Sequence, residues 1–335
     1  MRPQTETIVE KADFSEGNTK TIDIDLAGYV TEVNFRISLD VTRTTAGAAV
    51  EDGILRMIKG LKVTASNAKD WYSIRDGREG YYLAYLKTQG QVYNGTMPAA
   101  GAAETEVEAQ FAFHPGVLPG NMFDITRCIP LRGMSNIQVE IDWGTAATDL
   151  GTGYSVASDS DGLRVEISRM ILEKGESEAQ AFSPLDHIFV PRLLPVTYPI
   201  DAIYSSFSFS KDILTGAYIR DVALLMLDSS GDRSAAEISE FRVATNKGDI
   251  YHVRRSWTAF EREVRRRLYL PATITGLGLI DFRNVGTQKD YGLNMVQASK
   301  GDWLLEFTTA ATSGEIRALY EGADLVSVDP VEVGS

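Results

Sequence analysis

NAKDWYSIR, Asn67 to Arg75, returns as NKGDIYHVR, Asn246 to Arg254. Asn, Asp, Tyr and Arg recur in the same places, at a constant offset of 179 (246 − 67). Four identities in nine residues arise by chance roughly once in several hundred alignments at average residue usage. The nonapeptide therefore gains its weight from the pattern around it, where the order of strands and helices also runs twice.

Upstream of the first copy, Ile22, Ile24 and Leu26 alternate with Asp23 and Asp25. Val33, Phe35, Ile37, Leu39 and Val41 then alternate with Asn34, Arg36, Ser38 and Asp40, the period of a strand with one wet face. The same alternation returns at Ile137, Val139 and Ile141 and again at Val165 and Ile167, which points to antiparallel sheets. After Arg75, the spacing predicts a helix over Asp76–Lys87, with Asp76 as cap and Glu79 closing a capping box. Tyr81, Tyr82 and Tyr85 fall on neighbouring faces of it. Ala99–Ala109, small and acidic, reads as a loop, and GVLPGN (116 to 121) as turns.

The second half repeats this order. Phe207 and Phe209 stand for Ile22 and Ile24, Gly216 for Gly28, and a continuous apolar strand runs over Val222–Leu227. The second nonapeptide leads into a helix over about Ser256–Tyr269, with Pro271 beyond its end. Gly276–Phe282 pairs with Gly116–Ile125, Trp303, Leu305 and Phe307 with Ile137–Ile141, and Gly314–Val326 with Gly162–Leu172. Between the halves, Pro184, Pro191, Pro195 and Pro199 stiffen an extended segment and resist helix.

The expected fold is all-β: two tandem sandwiches of Greek-key or jelly-roll type, each with a short helix inserted between late strands. The expected boundaries are an N-terminal arm at 1–19, a first roll at 20–175, a linker at 176–198, a second roll at 199–327 and a C-terminal tail at 328–335. A length of 335 residues suits two cores better than one.

Composition narrows the function. A net charge of −13 argues against a surface built to embrace nucleic acid, because phosphate binding needs clustered Lys and Arg. Cys128 is the single cysteine, so no intrachain disulfide and no Cys-based metal cage is expected. The first twenty residues contain no apolar segment of signal-peptide type, so export by that route is not expected. His114, His187 and His252 stand in no metal-binding spacing. No nucleophile elbow or P-loop occurs, and Gly276–Gly278 holds only a fragment of a dinucleotide fingerprint. Asp159, Asp161 and Gly162 resemble part of a calcium loop without its terminal glutamate, so they read as a turn. No enzyme activity, cofactor or metal is expected.

One cluster stands out. Arg254, Arg255, Arg262, Arg265, Arg266 and Arg267 gather on or beside the second helix of an acidic chain. They are either a solvated face pairing with Glu261 and Glu263, or a contact surface for other subunits, lipid headgroups or packaged nucleic acid. The first helix instead carries Arg75, Arg78, Lys87 and its tyrosines, so the two helices are expected to meet different neighbours.

This arrangement, with MFDITRCIPLRGMSNIQVEIDWG (122 to 144) as late strands of the first roll, resembles the double jelly-roll major capsid proteins of tailless icosahedral viruses, the lineage of adenovirus hexon and lipid-containing phages and archaeal viruses. The resemblance implies a structural subunit that trimerises into pseudo-hexagonal capsomers tiling an icosahedral shell. It also implies neighbouring capsomers, a separate vertex (penton) protein and, in some members, an internal membrane as partners. It implies no sequence-specific nucleic-acid binding, a place in the virion and synthesis in the host cytoplasm. The alternative is a carbohydrate-binding or adhesive tandem β-sandwich, for which Trp71, Trp143, Trp257 and Trp303 are the candidate aromatics.

Overall fold

A computed structural model describes residues 4–25, 28–46, 50–65, 69–113, 117–118, 122–123, 129–130, 136–171, 187–245, 250–282 and 292–327. The chain divides into two compact units, Met1–Leu193 with Asp324–Ser335, and Leu194–Ala323.

The first unit is built on β1 (Gln4–Ala12), β2 (Thr19–Asp25), β3 (Tyr29–Arg43), β4 (Ile58–Ala65), β5 (Lys69–Ile74), β6 (Thr105–Phe113), β7 (Asn136–Trp143) and β8 (Gly162–Ile171). One sheet runs β1-β8-β3-β6, with short strands added at its margins, and the other runs β2-β7-β4-β5. Helix α1 (Gly77–Lys87) joins β5 to β6. Val33, Phe35, Ile37, Leu39 and Val41 of β3 are all fully buried, while Arg36 on the opposite face is exposed, as the alternation requires. Each such side chain contributes roughly 1.5–3 kcal/mol by leaving water. The sheets meet through Phe35 and Tyr72, whose ring centroids lie 5.3 Å apart.

The later strands are β9 (His187–Pro199), β10 (Phe209–Asp212), β11 (Tyr218–Leu227), β12 (Ile238–Thr245), β13 (Ile250–Ser256), β14 (Leu277–Asp281), β15 (Trp303–Thr309) and β16 (Glu315–Ser327). Their sheets run β9-β16-β11-β14 and β10-β15-β12-β13, the order of the first eight strands repeated place for place. Helix α2 (Trp257–Leu268) joins β13 to β14 as α1 joins β5 to β6. Both nonapeptides thus end in the strand that feeds the helix. All ten residues of β11 are buried, which is why its run Val222–Leu227 is continuously apolar rather than alternating.

Four expectations differ from what is found. Residues 4–12, assigned to the N-terminal arm, form β1 and pair with β8 along their whole length. Their strand signal is faint because Thr7, Val9, Glu10 and Lys11 are exposed and, of residues 7–12, Ala12 alone is buried. Residues 187–198, assigned to the linker, belong to β9, which runs on to Pro199; a sheet edge tolerates its prolines because one side of the strand needs no ladder. Much of Ala99–Ala109 belongs to β6, where exposed Glu106 alternates with buried Val107 and Ala109, and the alanine-rich start hid the period. Finally, Gly276–Phe282 carries β14, the counterpart of β6 and not of Gly116–Ile125. Of that last segment, residues 117–118 and 122–123 pair with each other as a separate two-stranded ladder among the described residues.

Candidate functional site

Helix α2 is the more accessible of the two helices. Ser256 caps it by accepting from the Ala259 N–H, and Trp257, Phe260, Glu261 and Val264 form its buried stripe. Phe260 packs on Phe241 of β12 with centroids 4.2 Å apart. Glu261 turns inward, where its Oε1 accepts from the Trp257 indole N–H and the Gly276 N–H, each at 2.7 Å. Burial pushes its carboxyl up, and these two bonds and Arg262 oppose the shift. The helix is thereby pinned to the turn before β14.

Its other face points outward. Arg262, Arg265, Arg266 and Arg267 are exposed, and Tyr269, just past the helix, is 81% exposed. The six arginines of the cluster have different fates. The side chain of Arg254 lies outside the described residues; Arg255 pairs with Glu263. Arg265 donates to the Pro271 carbonyl at 3.2 Å and Arg267 to the Leu279 carbonyl at 3.3 Å. Among the described residues, no hydrogen bond or ion pair engages Arg266. The expected pairing of the cluster with Glu261 and Glu263 is therefore met at Glu263 alone, because Glu261 is spent on the core.

Helix α1 is a different object. Every residue from Gly77 to Leu86 except Tyr81 is buried, so Tyr82 and Tyr85 belong to the interior and not to a contact face. Arg78 is 4% exposed. It meets the Asp76 carboxylate at 2.7 Å and lies 3.9 Å from that of Asp52, which also accepts from the Tyr82 hydroxyl. Burial works against the Arg78 charge, and Asp76 with Asp52 more than offsets it, holding the guanidinium above its ordinary range. Glu79 accepts from the N–H of Arg75 at 2.8 Å, one residue before the cap. This cluster locks α1 to the 3-10 turn Gly53–Met57; one residue of it, Asp52, lies too far away in sequence to have been read with the helix.

A third feature was absent from the sequence reading. The β3/β6 register sets Asp40 directly opposite Glu106, and Asp159 and Asp161 lie beside them. Burial and then Glu106, Asp159 and Asp161 raise the Asp40 carboxyl above its usual range. Like charges facing across a ladder are destabilising. Next to this group a polar hollow opens among Lys11, Arg36, Glu108, Asp161 and Arg164, but each cation there has a carboxylate: Lys11 with Asp161 at 3.7 Å, Arg36 with Glu108, and Arg164 with Glu166 at 2.9 Å.

Among the described residues, no group of three or more His, Cys, Asp or Glu is placed to hold a metal ion, and no helix is long and apolar enough to cross a membrane. His114 and Cys128 lie outside the described residues, as do the side chains of His187 and His252. Trp71, Trp143 and Trp257 are buried, so the aromatics on which a sugar-binding face would rest are largely core.

No family model matches the chain, and no curated protein matches it. Solved structures do. The crystal structure of the STIV MCP has a TM-score of 0.74 at 16% identity, covering 96% of this chain and 97% of that one. The atomic structure of Sulfolobus turreted icosahedral virus gives a TM-score of 0.73 at 17% identity, with 96% and 91% covered. The quasi-atomic PBCV-1 virus capsid gives 0.60 at 10% identity, with 97% and 95% covered. The fold of this chain is that of these double jelly-roll proteins.

Proposed function

We propose that this chain is a major capsid protein, in which three copies join as a capsomer whose six jelly rolls approximate a hexagon, and capsomers tile an icosahedral shell. The observation that carries this reading is the repetition of one eight-strand order in a single chain that spans nearly the whole length of virus capsid proteins of the same fold. Two similar but unequal rolls per chain suit a threefold object with near-sixfold surroundings. The role asks for no reaction, only for surfaces: obligate contacts of about 2,000 Å² or more within a capsomer, and weaker ones between capsomers that sum over many copies. On this reading the place of the protein is the virion, after synthesis in the host cytoplasm. Its partners are further copies of itself and a separate vertex protein.

Sedimentation and negative-stain imaging of the purified full chain test this. Trimers of hexagonal outline are expected. A strict monomer at high concentration overturns the proposal.

A further inference from the structure

Tyr269 holds a conformation that its residue type disfavours. It closes α2 in the left-handed region, with φ at +55°, where glycine or asparagine is usual, and presents its ring to solvent at 81% exposure. A bulky residue kept in that region and left uncovered gains nothing for the isolated chain. It lies on one stripe with Arg262 and Arg266, at i, i+4 and i+7, all exposed. Tyrosine and arginine are the residue types that dominate binding energy at protein interfaces. Beneath the stripe, Trp257, Phe260 and Glu261 hold the helix rigidly, so little ordering is left to do on association.

What fits this face must be acidic, and the chain supplies such a surface. Asp40, Glu106 and Asp159 converge at the end of β3, and the groups acting on Asp40 are all acidic. A chain of net charge −13 repels its own copies, so association needs an oriented patch of opposite sign. The chain carries both the basic face and the acidic group, and a contact between copies satisfies each with the other, whereas lipid or nucleic acid would leave the acidic group unanswered.

We infer that the Arg262–Arg266–Tyr269 face of α2 seats on the Asp40–Glu106–Asp159 group of a second copy, in a head-to-tail contact between copies. This rests on the shell reading above and adds to it which surfaces meet. Such a contact is heterologous, and the rotation between copies decides whether it closes.

The test uses the full chain by sedimentation velocity, with thermal unfolding of each variant as a check on folding. R262E/R266E is expected to weaken self-association roughly tenfold or more with the melting temperature nearly unchanged, and D40K/E106K is expected to do the same. The quadruple charge swap R262E/R266E/D40K/E106K should restore association, and Y269G should weaken it while raising the melting temperature, because the strain is relieved. Association of the natural chain should fall between 50 and 500 mM NaCl. Failure of the natural chain to associate overturns the shell reading. A natural trimer with undiminished association in R262E/R266E overturns this contact alone. So does a quadruple variant as weak as its parents, or binding of the natural chain to 70:30 phosphatidylcholine–phosphatidylserine vesicles that R262E/R266E loses while its association stays intact.

Discussion

A Cβ built on Gly80 would collide with the Tyr72 hydroxyl and come within 2.8 Å of Cε2 of Phe111; one on Gly278 would collide with Phe260 and come within 2.9 Å of Cη2 of Trp257. Counted from the helix caps, Gly77 and Gly80 of the first roll stand where Trp257 and Phe260 stand in the second. The rolls have exchanged knob and hole: glycines on the helix and aromatics on the sheet in one, aromatics on the helix and a glycine on the sheet in the other. Gly80→Ala should therefore lower stability by about 1–2 kcal/mol, because overpacking against the locked Tyr72 ring outweighs the gain of about 1 kcal/mol in helix propensity. Urea unfolding checks this, and Gly278→Ala should have the same sign. Glu261 offers a test in pH. Its carboxyl is raised above the ordinary 4.5, so its contribution to stability is full below pH 4.5 and is lost as the pH climbs through the raised value. Glu261→Gln keeps the acceptor for Trp257 and Gly276 and should flatten the dependence of unfolding free energy on pH between 4.5 and 7. Glu261→Ala strands both donors and should cost about 1–3 kcal/mol at every pH. An unchanged slope in the glutamine variant would remove Glu261 as the cause.

At the scale of elements, strands with strong alternation were legible and weakly patterned ones were not. β3, β7 and β8 declare themselves because Val33 to Val41, Ile137 to Ile141 and Leu163 to Ile167 are fully buried at every second position. β1 does not, since an edge strand facing water on most sides can be written in Thr, Glu and Lys. It is nevertheless paired over nine residues, from Gln4 opposite Ile171 to Ala12 opposite Leu163. Deletion of residues 2–11, which spares Phe14 and its edge-on contact with Trp143, should expose β8 and yield an aggregating or clearly less stable protein. Normal solubility and an unchanged melting temperature would restore the N-terminal arm. The two helices teach the same lesson. α1 is buried around its one arginine, Arg78, which its own cap Asp76 and the distant Asp52 both hold, while α2 turns its arginines outward; the part that Asp52 and the neighbouring 3-10 turn play in this is not written in the helix itself.

At the scale of the molecule, β9 and β16 pair with each other and pass the limits of the second compact unit, which opens at Leu194 and closes at Ala323. A fragment of residues 187–327 should thus express as a more soluble and more protease-resistant product than one of residues 199–327, which strips β9 from the edge of β16. Equal behaviour of the two fragments would place the boundary at 199 after all. The tandem order could be read from the sequence, because the periods of strand and helix are properties of the local backbone and survive in any chain that must bury one face. The repeated nonapeptide marks where each roll passes from strand to helix for the same reason. Which charged residues end up inside, which stay outside and which carboxylates face each other across a ladder were decided by tertiary structure alone. Asp52 and Tyr82 stand 30 residues apart, and Asp40 and Glu106 further still, and only the closing of the sheets brings each pair together. No local pattern records a neighbour that arrives by folding.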